Sequence, residues 1–398
     1  MEKNKIQKYL HLITLSPLLL PSQDLLAQDN KLEVSGFARL VAGSLDTSKH
    51  RYNGYEDKLT LSEHSLVAAQ ADYKFSNKLS ATAQGLYHSA EHRKSGIEWA
   101  YLAYHHNKKL NLKAGKLRTP FFNYSDVIDV GFSYPWLSPP KQVYNTYMFS
   151  TFEGANISYN TSRKGTAYYL EAYWGQFDDK IYVDKNSFKT KVDNLRGLVA
   201  NINQGSFSYR LSFHTGDVDI QSSLMEQLAS QINNLVFSQS AQSLSSTGKV
   251  DVIQASINYD SLDYFIRSEW IYLKSKLITV PDITGYYMTA GYNFFPYTLH
   301  FTFADHDSSF DQPVDEIPTG ISGDLDNLSR QYQGVFDLLS TDDVKSYGFG
   351  LRWDYSTNIA FKTEITRLSG RLINTGTGLQ QQDVTTATML QLGVEWIF

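Results

Sequence analysis

The chain has 398 residues, among them 27 Tyr, 22 Phe and 6 Trp, yet only 19% are charged and Cys is absent. A formal charge of −5 is small and of the wrong sign for a nucleic-acid binder, and the lack of Cys removes thiol catalysis, disulfides and thiolate zinc sites together. No stretch of the mature chain holds the ~18 consecutive apolar residues of a membrane-spanning helix, which leaves open a β-barrel, whose alternating strands never form an apolar run.

The chain opens with Lys3, Lys5 and Lys8, then an apolar stretch around Leu10, Leu12, Ile13, Leu15 and Leu18 to Leu20, then Pro21 and Leu25-Leu26-Ala27. That order of basic, apolar and small residues predicts a secretory signal peptide over 1–27, leaving 28–398 as the mature domain.

From residue 32 onward the apolar period is 2. Leu32, Val34, Ala38, Leu40 and Ala42 alternate with Glu33, Ser35 and Arg39. Phe207, Tyr209, Leu211 and Phe213 alternate with Ser206, Ser208, Arg210 and His214, and Tyr347 to Tyr355 alternate with Ser346, Gly348, Gly350 and Arg352. Strands are expected over 32–43, 59–75, 78–88, 96–106, 109–118, 151–161, 166–177, 191–203, 206–215, 250–260, 262–274, 284–294, 297–305, 344–355, 358–369 and 387–398. A soluble sandwich would also alternate. Here, however, aromatics gather at strand ends (Tyr73 and Phe75, Tyr259, Phe294 and Phe295, Trp353 and Tyr355), as the two interfaces of a bilayer require.

Connections alternate between short turns and long polar stretches, the latter including 119–150, 216–249 and 306–342. A helix is expected in one of them, around Leu224, Leu228, Ile232 and Leu235. The fold class is therefore all-β: a sixteen-stranded antiparallel transmembrane barrel. A barrel of that size is too wide for side chains to fill and leaves an aqueous channel. The inward charges Arg39, Arg210, Arg267, Glu269 and Arg352 fit a wet lumen.

On the last strand Leu390, Leu392, Val394, Trp396 and Phe398 share one face. Together with Val34-Ser35-Gly36-Phe37-Ala38-Arg39, Glu98-Trp99-Ala100-Tyr101-Leu102 and Ala114-Gly115-Lys116-Leu117-Arg118-Thr119-Pro120, this strand resembles the Gram-negative outer-membrane porins of the sixteen-stranded, trimeric, general type. The resemblance implies an outer-membrane location among lipid and lipopolysaccharide, a homotrimer, and passive diffusion of small hydrophilic solutes. It also implies that Trp396 and Phe398 form a closing signal read by the barrel assembly machinery. The runner-up functions are a channel selective for sugars, phosphate or small acids, and a surface adhesin or phage receptor.

In such porins the loop after strand five folds inward and narrows the pore. The corresponding stretch, 119–150, is rich in Phe, Tyr, Trp and Pro, and apolar loop content needs a wall to pack on. Its acids Asp126 and Asp129 are expected to face Arg39, Lys116 and Arg118 across the constriction, giving a weak anion preference. One feature opposes this: Lys116 and Arg118 have the same parity as the apolar Leu110, Leu112 and Ala114, unless the strand shifts at Gly115.

Catalysis has little support. His214 with Asp217 and Asp219, or His306 with Asp305 and Asp307, lack a nucleophile motif. His88 and His92, about 13 Å apart on a strand, are too distant for one metal ion. Neither enzyme activity, nor a cofactor, nor a metal, nor a nucleic-acid partner is expected.

Overall fold

In a computed structural model the described residues are 31–398, apart from 91–92, 147, 184–185, 338, 340, 342 and 376–381. The expected signal peptide lies outside them, as does His92. The strands are β1 Leu32–Leu45, β2 Leu66–Lys74, β3 Leu79–His88, β4 Gly96–His105, β5 Leu110–Arg118, β6 Thr151–Arg163, β7 Thr166–Val183 and β8 Asn186–Gln204. They continue as β9 Phe207–Ile220, β10 Thr247–Asp260, β11 Tyr264–Ser275, β12 Asp282–Phe294, β13 Tyr297–Ser309, β14 Val344–Asp354, β15 Ile359–Asn374 and β16 Gln382–Ile397. Each pairs antiparallel with its neighbours, and β16 returns to β1 with Trp396 opposite Ala38 and Met389 opposite Leu45. The result is a closed sixteen-stranded antiparallel barrel. A two-residue strand, His50–Arg51, adds to the end of β15 from within the first long loop.

All sixteen expected strands are present, but several run further than expected. The β7–β8 ladder continues to Val183 opposite Asn186. The first residues of this extension, Asp178, Asp179 and Lys180, put polar side chains on both faces. The apolar alternation therefore marks the limit of the lipid band and not the end of the hydrogen-bonded ladder. Strand β2 instead starts late, because Thr60 leaves the expected strand to bridge Gly43.

The outward face carries large apolar side chains such as Val34, Tyr87, Trp174 and Leu211. Near the short-turn end a belt of rings runs from β9 to β15. Its neighbouring pairs include Phe207–Tyr259 (4.9 Å between centroids), Tyr259–Tyr264 (5.6 Å), Phe294–Tyr297 (5.6 Å), Tyr297–Trp353 (6.2 Å) and Trp353–Phe361 (5.4 Å). Such a girdle suits a lipid–water interface. From β1 to β5 the same face, between large side chains such as Val34, Tyr87 and Leu102, carries a run of small ones: Gly36, Ala38, Ala69, Ala71, Ala81, Ala83, Ala100 and Ala114 share the outward register.

Loop 119–150 contains two 3-10 turns, Ser125–Val127 and Gly131–Ser133, and one α-helical turn, α1 (Lys141–Tyr144). At the long-loop end, α2 (Ser223–Asn234) and α3 (Ser238–Ser243) come from a second loop and α4 (Gly323–Asp337) from a third. These last three share a small core of Leu228, Ile232, Leu244, Ile317, Leu328 and Tyr332. The expected loop helix is α2, but of its four apolar positions Leu224 and Leu235 are exposed. The barrel's main core lies inside the lumen, where loop 119–150 meets the wall.

Candidate channel constriction

Loop 119–150 leaves β5 at the long-loop end and folds inward. Phe121, Phe122, Tyr134, Trp136, Leu137, Val143 and Tyr144 are all buried. Wall groups hold it from several sides. Arg210 on β9 donates to the Pro120 carbonyl (2.6 Å). Glu269 on β11 accepts from the Asn123 amide (2.8 Å) and the Tyr144 hydroxyl (2.8 Å), and Arg267 donates to the Tyr124 hydroxyl (3.2 Å). The Trp136 indole donates to Thr302 on β13 (2.9 Å) and Thr289 on β12 (3.2 Å). Arg352 on β14 donates to the Phe132 carbonyl (2.7 Å). On β1, Arg39 donates to the Tyr134 hydroxyl (3.0 Å), which itself donates to the Ile128 carbonyl (2.8 Å). The inward charges expected from the alternation therefore hold the loop.

One anchor has no counterpart among the sequence expectations. Lys362 on β15 donates to three loop carbonyls, those of Gly131 (2.7 Å), Tyr134 (2.7 Å) and Trp136 (2.8 Å). Glu395 on β16 balances the ammonium at 2.7 Å, with both side chains almost wholly buried. The three ammonium protons go to carbonyls, so Glu395 acts mainly through its charge. The loop approaches so closely that a Cβ on Gly131 would lie 2.0 Å from a Glu395 oxygen.

A second anchor joins the loop to β4 and β5. Arg118 donates to Glu98 (2.7 Å) and Asp129 (3.0 Å). Arg93 pairs with Asp129 (2.5 Å) and Glu98 (3.2 Å), and Ser150 donates to Glu98 (2.5 Å). Burial alone would raise the Asp129 carboxyl. The Arg93 and Arg118 guanidiniums outweigh it, and Asp129 is held well below the usual carboxylate range. A depressed carboxylate adds stability that is complete above its unfolded value of ~3.9 and fades as pH falls toward the folded value. The difference in unfolding midpoint between wild type and Asp129→Asn is thus expected to stay constant from about pH 7 to 5. It should shrink only below about pH 4, as thermal melts in detergent would show.

Of the five expected constriction residues, the structure brings Arg39, Arg118 and Asp129 together. They are buried and committed to the anchors, not facing open water. Lys116 is not with them. It pairs with Ala100 and Glu153 in the outward register of Leu112 and Ala114, and its ammonium reaches the Ile97 carbonyl (2.6 Å). The parity conflict is resolved beside a bulge in β4. There the β3–β4 register slips between Gln84 and Gly85, and Glu98 is the extra residue. Glu98 turns inward next to Trp99, and Arg118 follows it, its guanidinium 4.8 Å from the Trp99 ring. Asp126 stands apart from all four, on the exposed part of a 3-10 turn, Ser125–Val127.

The two histidines weighed for catalysis, His214 and His306, are both buried. His214 lies between the Tyr173 hydroxyl and Ser212 Oγ, 2.8 Å from each, buried beneath Phe121. His306 contacts the Gln142 carbonyl (2.8 Å), while Asp305 pairs with Lys345 (3.2 Å). Among the described residues no group of His, Asp and Glu is arranged to hold a metal ion.

No protein-family model matches the chain, and no curated protein does. Solved structures do. OmpT, an outer membrane protein of Vibrio cholerae, aligns over 92% of this chain and 97% of its own at 10% identity and a TM-score of 0.56. The anion-selective porin from Comamonas acidovorans aligns over 92% and 99% at 11% identity and 0.56. Salmonella typhi OmpF, solved with daunomycin, aligns over 92% and 97% at 11% identity and 0.54. At such identities the likeness is one of fold, that of the outer-membrane barrels.

Proposed function

We propose that the chain is a porin of the Gram-negative outer membrane, a water-filled channel for passive diffusion of small hydrophilic solutes and ions, without enzymatic activity. The observation that carries this reading is the loop of 119–150 inside a sixteen-stranded barrel whose lumen keeps polar walls. The fold shared with an anion-selective porin and with OmpF supports it. Wall charges that hold a loop across the lumen narrow a pore without sealing it to water, as the partly exposed inward residues Gln70, Asp72, Lys113, Asn156 and Asn201 suggest.

Diffusion is favoured over sugar selectivity because the loop's aromatics are turned into its own packing and not along a solute path. In liposome swelling, rates are expected to fall steeply with solute size and to ignore sugar stereochemistry. A strong preference among sugars of equal mass would favour the selective channel instead.

The run of small outward residues across β1 to β5 suits protein contact better than lipid and supports a homotrimer. Light scattering in detergent is expected to give three times the monomer mass, and monomer mass would refute it. Residues 1–27 are proposed as the export signal, and Trp396 and Phe398 as the element read by the barrel assembly machinery.

A further inference from the structure

The loop's perimeter is not held evenly. It is hydrogen-bonded to β9 through β15 and to β1, and Asp129 ties it to Arg118 on β5 and to Arg93 just before β4. Toward β5–β7, at the level of Asp126, the facing wall is polar and partly exposed: Lys113, Asn156, Tyr169 and Glu171. Glu171 is fixed there, accepting from Asn156 Nδ2 (2.8 Å) and from the Tyr169 hydroxyl. Asp126 lies within electrostatic reach of Glu171 and Tyr169, and Lys113 within reach of Glu171. The other nearby cation, Arg210, is directed to Pro120 O, Gln254 and Asn201.

We propose, on the porin reading, that ions pass between Asp126 and the Lys113–Glu171 patch of β5–β7, and that this passage prefers cations. The passage itself is lined by two carboxylates and one ammonium, with the Arg210 guanidinium drawn away to Pro120 O, Gln254 and Asn201, and that lining leaves a negative charge in the neck. Charges closer than a Debye length of ~8 Å act on a passing ion with little screening. The cations expected to favour anions do not offset this. Arg39 and Arg118 are buried, Arg118 is paired with Glu98 and Asp129, and Lys116 faces outward.

The test is the zero-current potential of the purified barrel in planar bilayers under a tenfold KCl gradient. Wild type is expected to show the cation sign. Asp126→Asn and Glu171→Gln should each move the potential toward zero, and together they should carry it to the anion sign. Lys113→Gln should move it the other way. Lys116→Gln, on the outer face, should leave it unchanged. Two results would overturn the passage while leaving the porin reading intact. One is anion preference in wild type; the other is conducting Asp126→Asn and Glu171→Gln variants with unmoved potentials. A barrel that carries no current would fail the porin reading itself, and the passage with it.

Discussion

Lys362→Met is expected to loosen loop 119–150 and lower the unfolding midpoint of the barrel. The substitution keeps an unbranched side chain, one atom shorter, but removes three proton donations to Gly131, Tyr134 and Trp136 and leaves Glu395 buried without its counter-charge. Breaking a buried ion pair from one side costs about 3–5 kcal/mol, because the remaining charge is desolvated and uncompensated. The orphaned carbonyls add to that in principle, but the terms share one site and are not additive. Adding Glu395→Gln should recover part of the loss, since it removes the stranded charge. In single-channel records the Met variant should show larger and noisier currents, because the bend at 131–136 no longer has its anchor. An unchanged midpoint together with a quiet, wild-type current would mean that the remaining anchors, from Arg352 and Arg39 to Arg118, hold the loop without Lys362.

Deleting Trp396-Ile397-Phe398 is expected to abolish the assembled, heat-modifiable form. These residues close the barrel. Phe398 exchanges two backbone hydrogen bonds with Gly36 (2.8 and 2.9 Å), and Ile397 donates to the Asn358 carbonyl (3.0 Å). Trp396 sits opposite Ala38 on one side and Ile359 on the other. Without them the ends of β1 and β15 present unpaired backbone groups to lipid, at several kcal/mol each. The Phe398 ring also covers Gly36, where a Cβ would lie only 2.3 Å from it. Phe398→Ala keeps the backbone bonds and loses the ring, so it separates closure of the ladder from the proposed reading of the Phe398 ring during assembly. Normal outer-membrane levels of the truncated chain would refute the closing role.

Much of this fold is legible in the sequence because lipid and water impose opposite demands on alternate residues. Leu32, Val34, Leu40 and their equivalents had to face lipid, and their spacing reveals each strand. The alternation is silent where both faces meet water, which is why the ends of β7 and β8 are visible only in the ladder. The inward fold of 119–150 is likewise legible, since Phe121, Tyr134 and Trp136 needed a wall. Its anchors are less so. Arg93 lies in a short polar loop with nothing to mark it. Lys362 looks like an ordinary inward charge in Phe361-Lys362-Thr363. Arg118 has the wrong parity until the bulge at Glu98 is seen, and a bulge leaves no clear trace in a single sequence. Position along the chain therefore placed Lys116 and Arg118 together, although the wall of the barrel separates them.

Conduction tests the central proposal most directly. The refolded barrel, added to a planar bilayer in symmetrical KCl, is expected to give discrete, long-lived current steps whose amplitude scales with salt concentration. A barrel confirmed as folded by its heat-modifiable band that leaves the membrane silent would contradict a diffusion channel and turn attention to the helical cap of α2, α3 and α4.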